Sequence, residues 1–175
     1  MKALDLEQLH LLSAAVLSDV MDSLGLGQRA MKPFVRPLDD SKVLVGRART
    51  GLYMPNYSLH QGENPYEVEI ALVDDLHPGD VVVLACNGPT ERIAPWGELL
   101  STASVARGAA GCVTDGLVRD VRQIRAMGFP VFMAVLARST PRAARAWWSA
   151  TGAWSAAASA SRAATSCLAT SMAWW

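Results

Sequence analysis

One apolar run constrains the fold of this chain more than any other feature of its sequence. Val81 to Ala85 contains no polar residue and directly follows His77-Pro78-Gly79-Asp80, where Pro and Gly stand at the positions that a type II turn prefers. A short continuous apolar run after a turn is typical of a strand that is buried on both faces, as in a parallel sheet. We therefore predict a buried strand here.

Helix-like and strand-like segments alternate along most of the chain. The residue patterns predict helices at Asp5–Leu24, Pro65–Asp75, Gly97–Arg107 and Arg119–Met127, and strands at Val43–Tyr53, Gly111–Thr114 and Pro130–Phe132. The first helix should bury one face, and the acidic residues of the second should be largely solvated. The first strand segment contains two glycines, which predicts a strand pair or a bulged strand. This alternation favours an α/β domain with parallel pairing.

Composition excludes several classes of function. The 175 residues suffice for one domain with a substantial core. With 16 basic and 16 acidic residues and no cluster of Lys or Arg, no nucleic-acid partner is expected. No apolar run is long enough to cross a bilayer, and the N-terminus lacks the organisation of a signal peptide, which predicts a cytoplasmic protein. Cys86, Cys112 and Cys167 share no CxxC-type spacing and are interpreted as small buried hydrophobic residues.

The last 42 residues differ from the rest in composition. Residues 134–175 contain no Asp or Glu, 15 alanines and five of the six tryptophans. We therefore divide the chain into a domain at 1–133 and an atypical tail at 134–175. One hypothesis is a frameshift: with suitable GC-rich codons, Met172-Ala173-Trp174-Trp175 read from the third base of each codon gives Asp-Gly-Val-Val. A genuine Ala-rich extension is the alternative. A frameshift would leave one sheet edge unpaired.

The residues with the clearest chemical meaning lie between Gly97 and Asp120. Gly97 follows a loop and begins a helix, so the first backbone N–H groups of that helix are free to bind an anion. Arg119 follows a predicted strand and presents a planar fork that suits a carboxylate. Asp120 offers oxygen to a hard divalent cation, and Glu98 could hold a metal-bound water or move a proton. Together they suggest retro-aldol or decarboxylation chemistry on a 2-oxo acid.

Several residues and motifs in this part of the chain also have a purely structural interpretation. Asp120 could simply cap the helix that follows it. Asp115-Gly116 is typical of a turn in which Asp bonds its own backbone. Trp96 is more typical of packing than of ligand stacking. The three histidines are scattered, and none is expected to be a base or a metal ligand.

Taken as a set, the motifs from Leu9 to Phe132 resemble the RraA-like family. This family includes 4-hydroxy-4-methyl-2-oxoglutarate aldolases and was formerly mislabelled as menaquinone methyltransferases. The similar segments are Ser18-Asp19-Val20-Met21-Asp22, Val45-Gly46-Arg47-Ala48, Pro78-Gly79-Asp80, Gly97-Glu98-Leu99-Leu100, Thr114-Asp115-Gly116, Arg119-Asp120 and Gly128-Phe129-Pro130-Val131-Phe132. No single motif among them is specific, but the set is.

The resemblance implies a role for each site residue. Asp120 would bind the metal, Mg²⁺ or Mn²⁺, and Arg119 would bind the pyruvyl carboxylate. Gly97 and the amides of Leu99 and Leu100 would complete that pocket. Glu98 stands where aldolases of the family commonly have Asp. Gln123 departs further from the pattern, because many active members have an acid at that position.

The resemblance also implies a fold and an activity. The fold is a swivelling α/β/β sandwich in a single domain, usually assembled as homotrimers or hexamers. The implied activity is a class II, metal-dependent pyruvate aldolase with accompanying oxaloacetate decarboxylase activity, acting on a small 2-oxo acid. Two alternatives stay open: a regulator that binds and inhibits ribonuclease E, as some family members do, and an inactive truncated product.

Overall fold

A computed structural model describes residues 6–26, 31–55, 64, 66–90, 93–134, 154–157 and 166–169. The helices are α1 (Leu6–Leu9), α2 (Ala14–Ser23), α3 (Glu67–Asp74), α4 (Glu98–Ala106) and α5 (Val121–Met127). The strands are β1 (Val35–Pro37), β2 (Leu44–Pro55), β3 (Asp80–Ala85), β4 (Gly111–Thr114), β5 (Val131–Ala134), β6 (Trp154–Ala157) and β7 (Ser166–Ala169). The described chain is thus a mixed α/β domain.

The sheet is parallel at its centre, as the alternation of segments predicted. Its strand order is β1-β5-β4-β3-β2-β6, and β7 also pairs with β2. β2, β3, β4 and β5 are parallel neighbours, whereas β1 pairs antiparallel with β5. Because successive parallel strands are joined through α3, α4 and α5, the loops that leave β2, β3 and β4 all emerge at the carboxyl end of the sheet. Ligands of open parallel sheets bind at that end.

The predicted central strand is confirmed. Val81 and Val82 are fully buried, and the turn before them has Gly79 at φ 81°, with the Asp80 amide donating to His77 O at 3.0 Å. That φ is the value that position i+2 of a type II turn requires. The buried side chains form two clusters. The larger contains Tyr53, Val73, Leu76, Val82, Leu84, Cys86, Trp96, Cys112, Ile124, Phe129 and Val131, and the smaller contains Leu44, Val81, Val113 and Phe132.

β2 corrects the prediction of a strand pair or a bulge. It is one strand of 12 residues, and its glycines serve close packing instead of a break. A Cβ at Gly46 would lie 2.3 Å from the carbonyl oxygen of Gly79. The strand can therefore pass the turn before β3 only without a side chain at this position.

The N-terminal helix is also corrected in two respects. The segment predicted as one helix is divided, because Ser13 caps α2 by accepting a hydrogen bond from the Val16 amide at 3.3 Å. No residue of α2 is buried, although a buried face was expected, and the apolar Val16 and Val20 are about half exposed. Helical spacing identified the helix, but it does not show that the chain itself covers the apolar face.

Two short strands of the tail pair with β2. β6 lies antiparallel to residues 52–55, and β7 lies antiparallel to residues 44–47. β2 therefore has antiparallel partners in the described part of the tail, whereas a frameshifted tail was expected to leave one sheet edge unpaired. The division of the chain at residue 134 and the frameshift itself stay predictions. Among the described helices, none has the length and apolar character needed to cross a membrane.

Candidate functional site at the carboxyl end of the sheet

Two loops at the carboxyl end of the sheet are joined by backbone contacts. Trp96, in the loop after β3, and Val118, in the loop after β4, form an isolated parallel bridge. The Arg119 amide donates to Trp96 O at 3.0 Å, and the Leu117 amide donates to Ile93 O at the same distance. These bonds hold the start of α4 beside the start of α5. The predicted residues Gly97, Glu98, Arg119 and Asp120 are thereby brought together.

Gly97 permits the closest approach within this junction. A Cβ at this position would lie 2.8 Å from both Arg119 Cγ and Asp120 Oδ2, and 2.9 Å from Arg119 Nε. Gly97 has an extended backbone, with φ −163°, that any residue could adopt. The requirement for glycine is therefore one of space, and the atoms that occupy this space belong to the two predicted site residues.

Asp120 is held in a conformation that few non-glycine residues adopt. Its φ of 57° and ψ of 36° lie in the left-handed region, and it occupies the N-cap position of α5. Its side chain makes no capping bond to α5 and accepts the Glu98 amide through Oδ2 at 3.2 Å. The capping interpretation is thus wrong for the side chain of Asp120. A left-handed residue costs about 1 kcal/mol or more, and such residues cluster at functional sites.

The Arg119 side chain lies beside the Asp120 carboxylate. Its Nε lies 4.0 Å from Asp120 Oδ2, and the two side chains are 48% and 41% exposed. Because the Arg119 cation and the Asp120 anion are both accessible to solvent, a ligand can reach them without a rearrangement of the core.

The first turn of α4 supplies backbone donors beside this pair. Gly97 is the N-cap and provides no capping side chain. The Glu98 amide is already bound by Asp120, whereas the amides of Leu99 and Leu100, in the same turn, have no partner within the helix. The Leu99 side chain is 80% exposed, so its contribution would come from the backbone. This geometry agrees with an anion pocket formed by the Leu99 and Leu100 amides.

Asp115 has a different role from the one its turn-like sequence predicted. Its carboxylate does not bond the turn that contains it. Oδ1 accepts the Cys86 amide and Oδ2 accepts the Gly88 amide at 2.7 Å, both from the loop after β3. The neighbouring Gly116 amide donates to Thr114 Oγ1 at 3.0 Å. Asp115 therefore ties the β3 loop to the end of β4.

Glu69 is a nearby acid that the sequence analysis missed. It was grouped with the solvated acids of α3, but it is half-buried and accepts a hydrogen bond from the hydroxyl of Tyr53. Burial raises the pKa of Glu69, while the Tyr53 hydrogen bond and the Arg119 charge lower it in part. The place of Glu69 between the apolar Val68 and Ile70 was the one available signal that it is not fully solvated.

Trp96 and two cysteines have structural roles, as predicted. Trp96 is buried and stacks on Phe129, with ring centroids 6.3 Å apart. Cys86 and Cys112 are buried free thiols, and burial raises both pKa values, that of Cys86 to about 12. Neither is therefore activated as a nucleophile. Cys167 lies in β7, and its side chain is outside the described residues.

The residues beside Arg119 fit a hydrated divalent cation. Within the described ranges, no group of three or more His, Cys, Asp or Glu side chains could enclose a metal. Mg²⁺ does not need such a cage, because it usually keeps several waters and binds one or two carboxylates. Asp120 offers a half-exposed carboxylate that is not spent on capping its own helix. The donor set therefore fits a cation whose remaining ligands are water and substrate.

The comparison with protein families identifies the chain's relatives. Residues 14–150 match the model of the RraA-like family, described as Aldolase/RraA. The chain belongs to this family. The sequence motifs had indicated the same family, and the α/β fold is the one expected of its members.

Individual relatives agree with this assignment. A Halalkalibacterium halodurans protein named "Putative 4-hydroxy-4-methyl-2-oxoglutarate aldolase" is 30% identical over 125 residues, which cover 71% of this chain and 53% of that protein. Protein DlpA of Legionella pneumophila is 29% identical over 131 residues, which cover 73% of this chain and 20% of DlpA. The chain thus spans about half of one curated relative and a fifth of the other.

A solved structure gives a similar result for the fold. RraAS2 of Streptomyces coelicolor, described as an unusual member of the RNase ES inhibitor RraA protein family, superposes with a TM-score of 0.62 at 26% identity. The superposition covers 74% of this chain and 61% of RraAS2.

Proposed function

We propose that this chain is a divalent-metal-dependent lyase. Its substrates would be 2-oxo acids of the 4-hydroxy-4-methyl-2-oxoglutarate type, cleaved to pyruvate, and it would also decarboxylate oxaloacetate. One observation carries the proposal: Asp120 adopts a left-handed conformation at the start of α5, yet its carboxylate is turned to the start of α4, beside Arg119. A carboxylate needed only to cap α5 would not be held there.

The anion pocket would fix one end of the substrate. Arg119 would bind the carboxylate next to the ketone through its fork, and the amides of Leu99 and Leu100 would donate to the same group. Gly97 leaves room for the Arg119 side chain to reach this position. Binding at two sides fixes the ketone in a single orientation, which removes much of the entropic barrier to reaction.

The chemistry then requires a proton acceptor and a place for negative charge. In the retro-aldol reaction, the C4 hydroxyl loses a proton, the C3–C4 bond breaks, and its electron pair moves toward the ketone oxygen. C4 becomes the ketone carbon of one pyruvate, and C3 takes a proton to give the second. We assign removal of the C4 hydroxyl proton to the Glu98 carboxylate at the start of α4. Asp120 would hold the divalent cation, Mg²⁺ or Mn²⁺, which polarises the ketone oxygen.

Decarboxylation of oxaloacetate tests the anion pocket and the metal position separately from the proton acceptor. Loss of carbon dioxide from oxaloacetate breaks a C–C bond at the same position relative to the ketone, so it needs the same anion pocket and the same polarised oxygen. It does not need removal of a hydroxyl proton. A variant that keeps decarboxylation but loses aldol cleavage would therefore locate the base, and Glu98→Gln is the variant expected to show this separation.

The deciding experiment is pyruvate release from both substrates, with Mg²⁺ or with EDTA. Asp120→Asn is the test variant, because Asn tolerates the left-handed backbone that Asp120 adopts and removes only the charge. We expect turnover by the unaltered chain with Mg²⁺, none with EDTA, and turnover at least about a hundredfold lower with Asp120→Asn. Turnover that survives in EDTA, or no turnover from a folded chain with Mg²⁺, would exclude the proposed function.

A regulator of ribonuclease E is the second candidate, favoured by the similarity to RraAS2. A purely inhibitory protein has no need for the Arg119 and Asp120 arrangement, although a regulator can retain an unused site. Inhibition of purified ribonuclease E by this chain, unchanged in Asp120→Asn, would favour the regulator.

Three further proposals concern the whole protein. Assembly as a homotrimer or hexamer can be tested by light scattering, and cytoplasmic location by fractionation. An intact single reading frame in independently sequenced genes would exclude the frameshift of residues 134–175.

A further inference from the structure

The helix α2 has an apolar side that the described part of the chain leaves uncovered. Four residues spaced four apart form one stripe along α2 and its two ends: Leu12, Val16, Val20 and Leu24. All four are exposed, Val16 by 47% and Val20 by 49%. Among the described helices and strands, none packs along α2. A continuous exposed apolar stripe of this kind is typical of a contact surface.

The short length of α2 supports the same conclusion. A helix of 10 residues is marginal in water by itself, and α2 buries none of its residues. The Ser13 cap contributes only about 1 kcal/mol. A surface that buried the apolar stripe would supply the stabilisation that α2 lacks.

A second exposed apolar surface lies on α4 and α5. Leu99, Thr102 and Val105 follow each other at intervals of three residues on α4, and all are exposed, as is Met127 on α5. Thr102 Oγ1 donates to Met127 Sδ at 3.5 Å, which joins the two helices at this surface. We call these four residues the α4–α5 surface. Its three apolar side chains come from two helices, so it is broad enough to receive a third helix.

The charges beside these two surfaces are opposite in sign. The charged residues of α2 are Asp19 and Asp22, whereas those of α5 are Arg122 and Arg125. All four residues are exposed, and in each pair they are three positions apart, which makes them neighbours on a helix. Contact between two copies of α2 would bring carboxylates together. Contact between α2 and the α4–α5 surface would bring carboxylates to guanidinium groups, which favours this pairing.

We propose that α2 of one copy of this chain binds the α4–α5 surface of a second copy, with Asp19 and Asp22 facing Arg122 and Arg125. The two surfaces differ, so the contact is head-to-tail, and its repetition closes a ring when the rotation allows it. The proposal names the surfaces by which the proposed homotrimer or hexamer would form. It does not depend on the lyase activity.

Two matched substitutions test the apolar part of this contact by sedimentation velocity. Val20→Glu places a charge in the stripe, and Ile70→Glu places the same charge at a similarly exposed helical position outside both surfaces. We expect the unaltered chain and Ile70→Glu to assemble, and Val20→Glu to need a concentration at least about tenfold higher. Unchanged assembly of Val20→Glu would overturn this contact alone. A monomeric unaltered chain would overturn both the contact and the proposed assembly.

Chemical cross-linking tests the head-to-tail geometry. Asp19→Cys and Arg122→Cys place one thiol on each surface, in a Cys167→Ser background and with a short bismaleimide as the reagent, while Cys86 and Cys112 are buried. We expect covalent dimers and larger species from the chain with both new thiols, and none from either single substitution. Dimers of Asp19→Cys alone would place α2 against α2 and overturn the proposal, as would the absence of cross-links with both thiols present.

Discussion

Two aspartates follow the same strand, five residues apart, and the structure uses them in opposite ways. Asp115, at the end of β4, accepts a hydrogen bond through each carboxylate oxygen, from the amides of Cys86 and Gly88 in the loop after β3. Asp120, at the start of α5, accepts one amide, that of Glu98, through Oδ2. Both carboxylates join the β4 loop to the β3 loop, but Asp120 is the more exposed of the two and accepts a backbone amide through one oxygen only.

The two junctions also contain a glycine each, and the glycines differ in what surrounds them. At Gly97, an added Cβ would meet side-chain atoms of Arg119 and Asp120. At Gly116, it would lie 2.6 Å from Pro95 Cδ and 3.0 Å from Cys86 Sγ. The first set of atoms can move and belongs to the candidate site, whereas the second is buried packing. One edge of a sheet can thus contain a structural junction and a chemical junction side by side.

Asp120→Asn should have the largest effect on activity. Removal of the charge that binds the metal is expected to lower pyruvate release by about a hundredfold or more, since metal polarisation of the ketone contributes several kcal/mol. The melting temperature should stay nearly unchanged, because Asn keeps an oxygen for the Glu98 amide and tolerates φ 57°. Steady-state assays and a thermal melt on the same preparation would check both. A large fall in melting temperature would mean that Asp120 is primarily structural.

Gly97→Ala should impair activity next most strongly. The added methyl group displaces Arg119 and Asp120, and displacement of catalytic groups by about 1 Å costs up to about a hundredfold in rate. Stability should change little, since the displaced atoms are half-exposed side chains and the backbone is extended. Measured kcat/KM near that of the unaltered chain would show that the close approach at Gly97 has no functional purpose.

Asp115→Ala should act on stability. It leaves the Cys86 and Gly88 amides without their partner, at a cost of about 3 kcal/mol for the pair. For a chain of this size, that corresponds to a fall in melting temperature of roughly 6–12 °C. Below the transition, the folded fraction should keep most of its metal-dependent turnover. Complete loss of turnover in a folded Asp115→Ala chain would place Asp115 in the site and erase the contrast with Asp120.

Gly116→Ala should have the smallest effect of the four, and it should act through packing. The methyl group presses on Pro95 and Cys86, and overpacking of a buried position costs about 1–3 kcal/mol. Denaturant unfolding would measure this loss, while KM at low temperature should stay within about twofold of the original. The assignment of the two junctions would be contradicted if Gly116→Ala impaired activity and Gly97→Ala lowered only stability.

The sequence predicted the centre of the fold because local signals and burial agree there. Val81–Ala85 and Gly111–Thr114 are short apolar strands whose turn and helix neighbours contain clear signals, and both were confirmed. β1 was missed because three residues paired antiparallel with β5 give no period to detect. The exposed face of α2 was missed because periodicity does not show what covers an apolar stripe.

The candidate site also contains features that the sequence predicted and features that it did not. Arg119 and Asp120 were predicted because they follow a strand of a parallel sheet and resemble a family motif. The left-handed backbone of Asp120 and the closeness of Gly97 to Arg119 were not predictable, since they depend on how two loops meet that are distant in the sequence. Glu69 was missed for the same reason: its hydrogen bond with Tyr53 joins α3 to β2, 16 residues apart in the chain.

Mn²⁺ binding to the unaltered chain, Asp120→Asn and Asp115→Asn tests most directly whether the two aspartates divide their roles as described. The electron paramagnetic resonance signal of free Mn²⁺ gives the affinity without any assumption about the substrate. We expect binding by the unaltered chain, affinity at least about tenfold weaker in Asp120→Asn, and nearly full affinity in folded Asp115→Asn. Equal affinity in Asp120→Asn and the unaltered chain, or loss of binding only in Asp115→Asn, would exclude this division of roles.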